Sequence, residues 1–133
     1  MRHLVFVYGT LKRGHGNHRL LESSEFFGEA TTEKPHALYV SGLPYLMENP
    51  NEGDKGRHVI GEMYEVNPIV LRNLDRLEGH PTLYERKPIE VRGIDDEIKR
   101  TAWGYYYQGN IPKGLNCVSE YKPLVYHSAH VSR

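Results

Sequence analysis

Between residues 67 and 81 the sequence spells a single helix with both ends marked. Asn67 is a favourable N-cap, and Pro68 follows at the first helical position, where its missing N–H costs nothing. Ile69, Val70, Leu71, Leu74 and Leu77 recur at helical spacing and form an apolar stripe. Gly79 supplies the C-cap, and Pro81 blocks continuation. No other stretch is written as helix so clearly. Around it lie strand-like runs: Leu4–Val7, extended chain from Phe26 to Val40, Val59–Val66, Leu83–Val91 and Thr101–Gln108. Gly61, inside one such run, marks close approach of another element. One capped helix and a short one among antiparallel-type strands predicts an α+β fold, its sheet curled or closed into a small barrel.

The connections are legible as turns. Lys12-Arg13-Gly14-His15-Gly16-Asn17 is polar and glycine-rich, with Lys12 and Arg13 expected in solvent. Asn17 is placed to cap a short helix through Leu20, Leu21 and Glu22. Ser41–Met47 turns into an apolar stretch, Asn49–Gly56 is a turn-rich exposed connection, and Gly93–Ile98 is an acidic link. Ile111–Val125 is expected to wrap the domain, and Tyr126–Arg133 to fray. No repeat or change of composition divides the 133 residues, so residues 1–133 are expected to form one domain, with a core of useful size.

Composition narrows the function. Lys plus Arg equals Asp plus Glu at 17 each, which argues against nucleic acid held by bulk charge. Cys117 is the single cysteine and excludes an internal disulfide. No apolar run approaches a membrane span, and the N-terminus lacks a long apolar segment. A cytoplasmic, soluble protein is therefore expected, with a monomer as the default. Among eight histidines, neither His127 and His130 nor His15 and His18 stand with a Cys or carboxylate cluster, so no metal site is predicted. Gly9 and Gly14 have P-loop spacing, but His15-Gly16 stands where Lys and Ser/Thr belong, which rejects nucleotide binding there. There is no Gly-x-Ser-x-Gly elbow, and Cys117 lacks a Cys/His context.

Two places could carry chemistry. The first strand stops abruptly at Tyr8-Gly9-Thr10, where Gly9 would allow backbone dihedrals closed to other residues. A strand ending this way leaves N–H groups free, so residues 8–11 could hold a small anionic group, or be an ordinary turn. Glu78 stands at the helix C-terminus, whose partial negative charge disfavours a carboxylate. Desolvation between Leu77 and Gly79 would raise its pKa further, toward the range useful for proton transfer. A solvated helix-end glutamate would occupy the same position. Along the last strand, Tyr105 and Tyr107 should face one way and Tyr106 the other.

Taken together, Val5-Phe-Val-Tyr-Gly-Thr-Leu11, Leu74-Asp-Arg-Leu-Glu-Gly79, Tyr84-Glu-Arg86 and Ala102-Trp-Gly-Tyr-Tyr-Tyr107 resemble the γ-glutamylcyclotransferase-like family. The resemblance runs from about Leu4 to Gln108, and Lys12-Arg-Gly-x-x-Asn17-His-Arg19 is most similar to the γ-glutamylamine cyclotransferase branch. It implies a small mixed β-barrel with flanking helices, and release of 5-oxoproline from a small-molecule γ-glutamyl substrate. It implies Tyr8, Gly9, Thr10 and Leu11 as the substrate loop and Glu78 as the acid/base. It also implies Tyr105 and Tyr107 as pocket aromatics, with Pro44 and Tyr45 in a second edge segment. No cofactor or metal is implied. The specific expectation is cleavage of a γ-glutamyl amine such as γ-glutamyl-ε-lysine. Other γ-glutamyl donors, or a non-catalytic metabolite-binding module, are the alternatives.

Overall fold

The computed structural model describes residues 1–122. The capped helix, α1, runs Pro68–Glu78. Asn67 Oδ1 accepts the Val70 N–H at 2.8 Å. Gly79 ends the helix at φ +65°, in the left-handed region where glycine is unstrained. The apolar stripe is narrower than its spacing suggests. Val70, Leu71 and Leu74 are buried, whereas Ile69 and Leu77 are 61% and 37% exposed. The helix meets the sheet along one edge only, which leaves Ile69 on its flank and Leu77 at the mouth of a cleft.

The described residues form seven strands: β1 His3–Val7, β2 Glu25–Thr32, β3 Ala37–Ser41, β4 Leu43–Met47, β5 Ile60–Val66, β6 Tyr84–Gly93 and β7 Lys99–Tyr107. The five predicted runs are found, but Phe26–Val40 is split into β2 and β3, and β4 lies in the stretch expected as a turn. Five close into a barrel in the order β1-β5-β2-β6-β7, and β3 and β4 form a separate hairpin. The barrel is mixed because β1 closes against β7 in parallel, Val5 opposite Trp103, while its other pairings are antiparallel. Closure removes the sheet edges that would otherwise expose unpaired N–H and C=O groups. β5 is central, flanked by β1 and β2. Gly61 lies against the Val7 carbonyl and the Phe6 ring, with no room for a Cβ, so the expected close approach is real.

Strand alternation divides the core. Phe6, Ala30, Met63, Ile89 and Tyr106 belong to one cluster, which draws on all five barrel strands and fills the barrel. Val5, Val7, Tyr64 and Tyr105 face the other way and pack with Val70, Leu71 and Leu74 of α1.

Two expectations for the connections are corrected, those for Asn17 and Lys12. Asn17 does precede a short helix, the 3₁₀ turn His18–Leu21, but its side chain makes no capping bond there. It reaches back instead to Thr10, donating from Nδ2 to Oγ1 at 2.9 Å. Lys12 is 6% exposed, not solvated, and its Nζ donates to the Tyr121 carbonyl at 2.6 Å. Arg13 keeps an exposed side chain, yet its N–H donates to the buried Glu62 carboxylate at 2.9 Å and its guanidinium lies over Phe26. The loop folds under the C-terminal stretch rather than into water. That stretch crosses the domain: the Val118 N–H donates to the Leu38 carbonyl at 2.9 Å, and the Ser119 carbonyl accepts the Ile60 N–H at 2.8 Å. The expected continuation to Val125, the tail from Tyr126, and His127 and His130 lie outside the described residues.

Candidate active site

β1 ends on one side of α1's C-terminus, and the start of β4 faces it. Between them lies a cleft of about 220 Å³. Its walls come from Phe6–Leu11 and Asn17, from Leu43 and Pro44, from Leu77 and Glu78, and from Leu83, Tyr84 and Tyr105. The volume is below the range typical of drug-sized ligands and suits an amino-acid-sized group.

Glu78 is the one carboxylate in these walls. Burial pushes its pKa up to about 7, and no hydrogen bond or neighbouring charge counters that. The helix C-terminus acts in the same direction. At neutral pH this carboxyl can therefore both take and give a proton.

The opposite wall is the loop after β1. Among the described residues, no backbone acceptor takes the N–H groups of Gly9, Thr10 or Leu11. The loop's own carbonyls are used: Gly9 accepts the Lys12 N–H at 3.0 Å, and Thr10 accepts the Asn17 N–H at 3.0 Å. Three unpaired donors in succession suit an oxyanion or a carboxylate. Gly9 is required here for a different reason from the one its sequence position suggests. Its φ is not positive. A Cβ on it would instead lie 2.5 Å from Cγ of Pro44, so the glycine lets β4 close against the loop.

The cleft tyrosines are structural in their hydroxyls. Tyr8 is buried and donates to the Tyr105 carbonyl at 2.7 Å, and burial holds its pKa well above the ordinary value. Tyr84 donates to the Pro44 carbonyl at 2.7 Å. Tyr105 donates to Asp75 Oδ1 at 2.7 Å, and Arg86 Nε lies 3.2 Å from the same oxygen. These bonds tie the loop after β1 to β7, β6 to β4, and both β6 and β7 to α1.

The structure thus brings together Tyr8, Gly9, Thr10, Leu11, Pro44, Glu78 and Tyr105. Tyr45 and Tyr107 stand outside the lining. Tyr107 does face the same side as Tyr105, but of the cross-strand pair Tyr84 and Tyr107 it is Tyr84 that lines the cleft. Tyr45 packs on Tyr107 with ring centroids 4.6 Å apart, and Tyr84 on Tyr107 at 5.4 Å. The pair backs the wall. Sequence reading missed Leu83 and the cleft position of Asn17, whose polar spacing after a glycine loop read as a helix cap. Among the described residues no group of three His, Cys, Asp or Glu side chains could hold a metal ion. None of their helices is long and apolar enough to cross a membrane.

The family model "Gamma-glutamyl cyclotransferase, AIG2-like" matches residues 5–123. The chain belongs to this family. It is 41% identical over 104 residues to a protein of Methanocaldococcus jannaschii that carries the provisional name γ-glutamylcyclotransferase, covering 77% of this chain and 82% of that one. It is 42% identical over 101 residues to the γ-glutamylaminecyclotransferase of Homo sapiens, covering 70% of this chain and 64% of the human protein. The chain thus spans less than two thirds of the human relative's length. The crystal structure of an AIG2-like protein from Mus musculus superposes with a TM-score of 0.81 at 31% identity, covering 91% of this chain and 88% of that one. The closed five-strand barrel, with one α-helix among the described residues, is thus the family's fold, and a cyclotransferase is the enzyme class to which the family belongs.

Proposed function

We propose that this chain releases 5-oxoproline and a free amine from a γ-glutamyl amine, γ-glutamyl-ε-lysine being the model substrate, and that it does so as a monomer. The observation that carries the reading is Glu78: a desolvated, unpaired carboxyl with a pKa near 7, facing a loop of free backbone donors.

In this reading the substrate's own α-amine is the nucleophile. Glu78, as carboxylate, removes a proton from the α-ammonium. The amine attacks the γ-carbonyl carbon and closes a five-membered lactam. The C–N bond to the leaving amine then breaks as Glu78 returns that proton to its nitrogen; the ring nitrogen gives up its second proton through the same carboxylate, and the amine leaves as the ammonium. Atoms and charge balance without a co-reactant. Ring closure is intramolecular, so holding the folded conformer can contribute ~7–11 kcal/mol. N–H groups of Gly9–Leu11 stabilise the oxyanion or bind the α-carboxylate. Tyr8, Pro44 and Tyr105 shape the pocket, and Tyr45 and Tyr107 support it from behind.

The human relative is named for γ-glutamylamines and the archaeal one for the broader reaction, so the leaving group is the open variable. Mass spectrometry of 5-oxoproline after incubation with γ-glutamyl-ε-lysine, γ-glutamyl-alanine and glutathione tests it, with Glu78→Gln as control. Glu78-dependent product from the lysine amide supports the reading. Product from the dipeptide alone moves the substrate, and ligand-induced stabilisation without product leaves a binding module.

A further inference from the structure

We propose that Asn17 is a positioning residue whose work is to aim the Thr10 hydroxyl hydrogen into the cleft. A hydroxyl has one hydrogen to donate and two lone pairs to accept with. At Thr10 one lone pair is taken, because Asn17 Nδ2 donates to Oγ1 at 2.9 Å. The hydrogen cannot point at that donor, and Thr10 Oγ1 donates to no acceptor among the described residues. Both residues line the cleft that holds Glu78. A second bond, from the Asn17 N–H to the Thr10 carbonyl at 3.0 Å, fixes the distance between them.

Asn17 therefore acts as a one-way partner. An amide nitrogen there turns the hydroxyl outward, as a fourth donor beside the free N–H groups of Gly9, Thr10 and Leu11. A carboxylate oxygen there would accept the same hydrogen and turn it away. The ligand group it serves is an oxygen of the bound γ-glutamyl substrate or of 5-oxoproline. The inference rests on the cyclotransferase reading for its substrate, but it can be measured by binding alone.

The test is a double-mutant cycle on Asn17→Asp and Thr10→Val, with Asn17→Ala as a third variant. Two quantities are read: the Kd of 5-oxoproline by calorimetry, and kcat and KM for γ-glutamyl-ε-lysine. Asn17→Asp keeps the side-chain shape and reverses the hydrogen bond, and Thr10→Val removes the hydroxyl. Each single change should weaken 5-oxoproline binding about tenfold, the worth of one well-made hydrogen bond. The double variant should be no worse than Thr10→Val, within about twofold. Asn17→Ala leaves the hydroxyl free to turn and should fall between parent and Asn17→Asp, which keeps the test open should the aspartate variant fold poorly. Multiplying losses in the double variant overturn the proposal, since Asn17 would then act on the ligand directly or through charge. A neutral Asn17→Asp overturns it too, as does a parent that does not bind 5-oxoproline. Binding that follows the cycle without turnover of any donor upholds the positioning role and rejects the enzyme reading.

Discussion

At the scale of a residue, the proposed chemistry rests on Glu78, which also costs the fold stability. Its folded pKa, about 7, lies above the ordinary 4.5. Between those values the folded protein holds a proton that the unfolded chain has released. Stability therefore rises as pH falls through that window, and the penalty is complete above pH 7. Glu78→Gln removes the ionisable group. Denaturant titration at pH 8 should find the glutamine variant more stable than the parent, by on the order of 1–3 kcal/mol. The difference should vanish below about pH 4.5. The same substitution should lower kcat by 10²–10⁴, roughly the worth of general acid–base catalysis. In the parent, kcat/KM should rise with pH through about 7, because the base must be ionised to accept the substrate's proton. A profile flat from pH 5.5 to 8 would remove Glu78 from the reaction.

At the scale of an element, α1 couples stability to the site through only one of its ends. Asn67 caps the far end and Gly79 the end that carries Glu78. Asn67→Ala should cost ~1 kcal/mol in urea unfolding and leave turnover of the folded protein unchanged. Gly79→Ala meets two obstacles, a φ of +65° and a new Cβ 3.0 Å from Cβ of Leu83. It should cost a similar ~1 kcal/mol or more and also lower kcat, since relief of the strain moves the adjoining Glu78. Leu74, fully buried on the inner face of the helix, sets the upper end: Leu74→Ala should cost ~2–5 kcal/mol. The helix was legible because its signals are local. Cap, proline, period and terminal glycine each act within a few residues. Its burial pattern was not legible, because exposure of Ile69 and Leu77 depends on where the barrel ends.

For the whole molecule, the C-terminal stretch completes the fold rather than trailing from it. Lys12 lies in the loop of the candidate site and is bound by the Tyr121 carbonyl, with Glu120 3.6 Å away. The His15 ring packs at a tilt on Tyr121, centroids 5.1 Å apart, and Cys117 packs on Ala37 and Tyr39 of the hairpin. Lys12→Met keeps the length of the stem but loses the ammonium. It should leave the barrel folded, lower the melting temperature by several degrees, and make the chain beyond about residue 110 markedly more sensitive to limited proteolysis. Unchanged cleavage kinetics would mean that the strap is held by its other contacts alone.

The sequence by itself determined what short-range physics dictates. It specified the α+β class, the strands by their alternation, the helix by its two caps, and the resemblance carried by Tyr8–Leu11 with Glu78. Each signal rests on residues close along the chain, and the resemblance joins two such local motifs. Tertiary structure alone decided which of these meet. Gly9 is a glycine because Pro44, 35 positions on, presses against it, not because its own dihedrals demand it. Asn17 serves Thr10 instead of the helix it precedes, and Lys12 is buried by residues more than a hundred positions away. Tyr107 lies outside the cleft lining, while its partner Tyr84 across the β6–β7 ladder is part of it. These are contacts between distant segments, fixed by barrel closure, and no local period or cap encodes them.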